Sequence, residues 1–136
     1  MAFLVDTSVW SLALRRDSDS GIPHVKALNG ALLGGDDVAT CGIVLLELSQ
    51  GLVPRRVRDA VSESFRSLTW LEPRRSDYEQ AADLSNTCRS RGVQLATVDA
   101  LIAQLAIQHD LVLLTTDQDF IHAAEHIPLT VWRPHE

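Results

Sequence analysis

The stretch Ala2-Phe3-Leu4-Val5-Asp6-Thr7-Ser8-Val9-Trp10 decides how this chain folds. Residues 2 to 5 are apolar without alternation, the mark of a strand covered on both faces, as in parallel sheets. The run ends at an acid, Asp6. Val9, Trp10, Ala13 and Leu14 then fall on one helical stripe, so a helix should follow at once, with Thr7 and Ser8 as capping residues. Two further apolar runs also lead into an acid: Ile43-Val44-Leu45-Leu46 into Glu47, and Val112-Leu113-Leu114 into Asp117, while Asp99 opens another apolar stretch.

Working outward, Asp17 to Gly21 is a polar break, and Pro23 suits the first turn of a helix carrying Val25, Leu28 and Leu32 that ends at Gly34-Gly35. A strand is predicted over Val38 to Cys41, then a short helix from Ile43 to Gln50 closed by Gly51. Pro54 starts another helix, in which Val57, Ala60, Val61, Phe65 and Leu68 recur at three and four residues. Thr69 to Leu71 reads as a third strand. Ser76 and Glu79 have capping-box spacing for a helix that stops near Gly92. Thr97 to His109 is the clearest helix, Leu111 to Thr115 a strand, Phe120 to Glu125 a short helix and Leu129 to Trp132 a last strand. Strands alternating with helices imply an α/β layer architecture with a mainly parallel sheet and right-handed crossovers.

The chain has 136 residues, 46% of them hydrophobic, which suits one domain with its own core over residues 1 to 136. No apolar stretch approaches the ~20 residues that span a bilayer, and no basic region precedes the first apolar run. Cys41 and Cys88 stand far apart in apolar settings, so buried thiols are expected in a reducing, cytoplasmic location. The net charge of −6 argues against a protein that coats nucleic acid, since non-specific affinity comes largely from Lys and Arg on phosphates. Any such role must be local. The Arg clusters at Arg15-Arg16, Arg55-Arg56 with Arg58, Arg74-Arg75, and Arg89 with Arg91 read first as solvated helix faces, although Arg favours bidentate phosphate contacts.

Each acid has an ordinary local explanation. Asp6 could cap a helix, Asp117 could begin an Asx-turn, and Asp99 lies in a first turn where the macrodipole favours negative charge by roughly 0.3 to 1 kcal/mol. Glu47 is harder to explain, because a lone carboxylate within an apolar helix is costly unless paired. In open parallel sheets, ligands sit beyond the carboxyl ends of the strands, and four separate elements each offer an acid there. Asp119 could add a fifth oxygen ligand. Gathered carboxylates raise one another's pKa, a divalent cation restores their ionised forms, and an all-oxygen set selects Mg²⁺ or Mn²⁺ over zinc. Phosphodiester hydrolysis is the natural chemistry of such an ion. Competing motifs are weak: His122-x-x-x-His126 has zinc-compatible spacing without the Glu of a metalloprotease, and no Walker loop, G-x-G-x-x-G or nucleophile elbow appears.

The blocks Leu4-Val5-Asp6-Thr7-Ser8, Leu45-Leu46-Glu47-Leu48, Asp99-Ala100-Leu101-Ile102-Ala103 and Leu114-Thr115-Thr116-Asp117-Gln118-Asp119-Phe120 together resemble the PIN-domain family, and within it the VapC-type ribonuclease toxins. The resemblance implies a Rossmann-like three-layer fold with a five-stranded parallel sheet flanked by helices. It casts Asp6, Glu47, Asp99 and Asp117 as an acidic quartet around one or two Mg²⁺ or Mn²⁺ ions, Asp119 as an auxiliary acid, and the hydroxyls of Thr115 and Thr7 as supports. It also implies a homodimer, possible larger assembly with a VapB-like antitoxin, and cleavage of structured RNA such as transfer or ribosomal RNA. Two other readings compete. A PIN-like module that has lost catalysis would keep only RNA or protein binding. A receiver-like phospho-acceptor domain would need an acidic pair after strand one, an acceptor Asp after the third strand and a Lys after the last; the chain has Asp6 alone, Pro73, and a single lysine at Lys26.

Overall fold

The computed structural model describes residues 1–15, 21–51 and 54–134. Along the chain run β1 (Ala2–Val5), α1 (Thr7–Ala13), α2 (Pro23–Leu33), β2 (Asp37–Cys41), α3 (Gly42–Gln50), α4 (Arg55–Phe65), β3 (Thr69–Leu71), α5 (Arg75–Ser90), α6 (Thr97–Gln108), β4 (Val112–Leu114) and α7 (Gln118–Ala123). The strands form one parallel sheet in the order β3-β2-β1-β4, with Phe3 paired to Val38 on one side and to Val112 on the other. Strand β1 is central, and Phe3, Leu4 and Val5 are buried, as an unalternated run between two helix layers requires. This order is incompatible with a receiver domain, whose order 2-1-3-4-5 seats the third strand beside the first.

Among the described residues the sheet has four strands where five were expected. Leu129 to Trp132 makes a single parallel bridge, Leu113 to Val131: the Leu113 N–H donates to Thr130 O and the Trp132 N–H to Leu113 O, both at 2.9 Å. The length of β4 explains this. In a parallel ladder alternate residues turn their N–H and C=O to opposite sides, so a three-residue strand that gives Val112 and Leu114 to β1 has only Leu113 for its outer edge.

Helix α6 is the most enclosed element, with Ala100 through Ala106 all buried. It packs along α5, and the two share a polar tie. Asp77, only 2% exposed, accepts the Arg74 N–H at 2.8 Å and the Gln104 Nε2–H at 3.3 Å. The capping interaction expected from Ser76 and Glu79 is therefore made two residues earlier, because Pro73 lets the helix begin at Arg75 and brings Asp77 to its third position. Gly35 and Gly92 adopt the positive φ values of 76° and 80° that let the chain leave α2 and α5. One apolar cluster runs from Phe3 to Leu129 and takes in both cysteines, which are buried free thiols. Arg16 and all but Gly21 of the polar break expected from Asp17 to Gly21 lie outside the described residues. Arg55, Arg66 and Arg75 form exposed ion pairs with acids on their own helix surfaces, in keeping with solvated faces. Among the described residues no helix is long and apolar enough to cross a membrane.

Replacing Asp77 with Ala removes the acceptor for a buried amide and for a helix N-terminus. We expect a loss of about 1–3 kcal/mol in urea unfolding, with a smaller loss for Asp77→Asn, which keeps one acceptor oxygen.

Candidate active site

Strand order reverses between β1 and β4, since β2 and β3 both lie on the other side of β1. At such a switch point the loops leaving adjacent strands part and open a crevice. Asp6 leaves β1 there, and Thr115, Thr116 and Asp117 leave β4. Helix α6 runs back before β4, which puts its first turn and Asp99 at the same edge, while α3, leaving β2, carries Glu47 in its second turn.

Asp6 occupies the N-cap position of α1 but its side chain makes no capping bond. Instead its Oδ2 accepts two hydroxyl protons, from Ser8 Oγ and from Thr115 Oγ1, each at 2.8 Å. Those hydroxyl oxygens in turn accept backbone N–H groups of the β4–α7 turn: Ser8 Oγ that of Thr116 at 3.1 Å, and Thr115 Oγ1 that of Asp117 at 3.0 Å. Asp6 is nearly buried, and both bonds hold it by donors to the charged form, leaving Oδ1 without a protein donor among the described residues. Thr7, rather than capping α1, donates from Oγ1 to Glu47 Oε1 at 3.2 Å. Asp117 does serve as a cap, its Oδ1 accepting the Asp119 N–H at 2.9 Å at the start of α7.

The other acids lie close enough to act on Asp99. Burial and the neighbouring charges of Asp6, Asp117, Glu47 and Asp119, in that order, push its carboxyl up to about 7. All five acids singled out in the sequence are thus electrostatically coupled at one edge, with Thr115 and Thr7 in hydrogen-bond contact with them. His122 and His126 take no part: α7 ends at Ala123, so His126 lies beyond the helix and the zinc-compatible spacing is not realised. The residue that sequence reasoning missed is Ser8, read as a cap. Its signal was the two-residue offset from Asp6, across which a short hydroxyl can fold back on its neighbour.

The donor set is all oxygen and crowded with like charge, which fits a hard divalent cation such as Mg²⁺ or Mn²⁺. Among the described residues no group of three His, Cys, Asp or Glu side chains is placed to hold a metal ion.

The chain belongs to the PIN domain family, whose profile matches residues 3–126. In fold it is similar to VapBC2 from Rickettsia felis, solved with a promoter DNA fragment (TM-score 0.77, 18% identity, 97% of this chain and 98% of that one). It is also similar to FitAcB from Neisseria gonorrhoeae (TM-score 0.71, 23% identity, 97% of each chain). A third likeness is to Mycobacterium tuberculosis VapC20, a sarcin-ricin loop cleaving toxin (TM-score 0.66, 22% identity, 95% of this chain and 99% of that one). No curated protein is significantly similar to the chain in sequence.

Two outcomes follow from this geometry. Thr115→Val keeps shape but leaves Asp6 and the Asp117 N–H each short of a partner, so unfolding free energy should fall by about 1–3 kcal/mol, read by urea titration. Asp99 holds its proton more tightly when folded than at its ordinary value of 3.8, so its favourable contribution is complete below about pH 4 and lost as pH rises to about 7. In chelator at pH 8, Asp99→Asn should therefore raise Tm by on the order of 4 °C, and the gain should vanish near pH 4.5. A gain of equal size at both pH values would show that like-charge crowding is not its source.

Proposed function

We propose that this protein is a Mg²⁺- or Mn²⁺-dependent endoribonuclease, the toxin of a VapBC-like toxin–antitoxin pair. The observation that carries the reading is the action on Asp99 of four other carboxylates from three separate segments: Asp6, Glu47, and Asp117 with Asp119. Such a cluster is unstable alone and becomes stable when a cation neutralises it. Asp6, Glu47 and Asp99 would hold one ion, with Asp117 and the auxiliary Asp119 serving that ion or a second. Such an ion, when bound, would supply positive charge at the scissile phosphate and lower the pKa of a water there. The protein's own part is positional: Ser8 and Thr115 fix the Asp6 carboxylate, Thr7 fixes Glu47, and the capped α7 fixes Asp117. Membership of the PIN family supports the class, and the likeness to a sarcin-ricin loop cleaving toxin supports structured RNA, transfer or ribosomal, as substrate.

The partners belong to the same proposal. The solved structures VapBC2 and FitAcB support a VapB-like antitoxin; a homodimer and a cytoplasmic location beside the RNA are parts of the proposal. A depression of about 260 Å³ between α1 and α3, lined by Leu14, Leu48 and Gly51 with Arg15 and Glu47, offers an antitoxin segment apolar ground next to the acids.

The test is cleavage of transfer and ribosomal RNA by purified protein. We expect discrete cuts in Mg²⁺ or Mn²⁺, none in excess chelator, and a rate loss in Asp6→Ala and Asp99→Asn beyond the roughly 10- to 100-fold carried by outer-shell metal partners. Undiminished cleavage in chelator would remove the metal from the proposal. RNA binding without cutting would leave a binding module.

A further inference from the structure

Beside the carboxylates, and sharing Thr115 with them, lies a cavity of about 420 Å³, within the ~300–1,000 Å³ range of small-ligand clefts. Its other walls come from three distant parts of the chain: His24 at the start of α2, Thr116, Gln118 and Ile121 around α7, and Trp132 with Arg133 in the C-terminal segment. Trp132 is half-buried, and its ring and that of His24 form a T-shaped pair at 5.1 Å and 73°. Burial pushes the His24 imidazole down, so at neutral pH it offers one N–H and one lone pair. The Gln118 amide adds donors and an acceptor, and Arg133 a guanidinium. Neither makes a hydrogen bond or ion pair among the described residues.

An indole face, neutral hydrogen-bonding groups at its side and one guanidinium are what a nucleotide asks for: stacking for the base, pairing for its edge, a cation for its phosphate. The location adds a constraint. The turn that supplies Thr116 and Gln118 also supplies Asp117, so a nucleotide held here lies next to the acids in the strand being cut. We propose that this cavity is a nucleobase subsite, in which a nucleotide flanking the scissile phosphate stacks on Trp132, meets His24 and Gln118 along its edge, and gives a phosphate to Arg133. The proposal rests on the ribonuclease reading above.

Binding and cleavage are measured together in Mg²⁺ on one short RNA stem-loop, and on the same RNA with an abasic nucleotide at each loop position in turn. With Trp132→Leu, affinity should fall by on the order of 10- to 100-fold while kcat changes little; Trp132→Phe, which keeps a stacking ring, should recover most of the affinity. One abasic position should weaken binding to the native protein by a similar factor and cause no further loss in Trp132→Leu. Unchanged affinity in Trp132→Leu, equal losses in the Leu and Phe variants, or losses that multiply with every abasic position would overturn the subsite and leave a protein segment as the occupant. Trp132-dependent binding by a native protein that never cuts would overturn the nuclease reading while the subsite stood.

Discussion

Like-charge repulsion at one sheet edge is the constraint on which the rest of this structure depends. Asp99 sits among four other carboxylates and is itself half withdrawn from water, so its charged form is disfavoured on both counts. Left to itself such a cluster would spread. Three devices oppose that: α6 is buried nearly around its circumference and cannot shift its first turn, Asp6 is clamped by two hydroxyls, and Glu47 is tied to Thr7. Each device acts on a different acid from a different element. The core is thus what holds an unfavourable arrangement in place, and the apolar burial around β1 and α6 is where the compensating free energy arises.

The clamp on Asp6 also joins the two strands on either side of the switch point. Ser8 belongs to the segment leaving β1, and Thr115 to the segment leaving β4. Each gives its proton to Asp6 and takes an N–H from the turn into α7. This network continues the ladder, in which the Asp6 N–H donates to Leu114 O at 2.9 Å, past the point where the strands end. Parallel strands diverge once their pairing stops, so side-chain hydroxyls here perform the work that further ladder bonds would do, and they keep the crevice at a fixed width.

Much of this was legible in the sequence for a definite reason. A parallel, doubly covered strand carries an unalternated apolar run, and Phe3-Leu4-Val5 and Val112-Leu113-Leu114 show it plainly; an acid placed at the end of each run is then placed at the carboxyl edge. Glu47 was legible by contrast with its apolar neighbours. What was not legible depends on backbone direction or on distant pairing. The strand pattern of Leu129 to Trp132 is real, but the number of outward-facing groups on β4 limits it to one bridge. The choice between Ser76 with Glu79 and Arg74 with Asp77 is a matter of where Pro73 lets the helix begin, and both offsets satisfy the spacing rule. Thr7 and Ser8 carry the composition of caps, and only the fold shows that their hydroxyls turn to carboxylates instead. The cavity of His24, Gln118 and Trp132 left no local signal, because its members come from three separate segments.

Charge places a last demand on the site. A chain of net charge −6 with five acids at one edge repels a polyanion unless something positive stands close by. A bound divalent ion answers this only at the acids themselves, and screening in salt limits its reach to about 8–10 Å. A nucleotide beyond that distance must be held by other means. On the α1–α3 side the acids adjoin Leu14, Leu48 and Arg15; on the Thr115 side they adjoin Trp132, His24 and Arg133. Stacking is indifferent to the sign of nearby charge, whereas phosphate contacts are not, so on the proposed reading the aromatic wall would hold RNA through the base while the acids still carry their charge. On that reading, affinity for the strand and chemistry on the strand would rest on different physical forces on the two sides of Thr115.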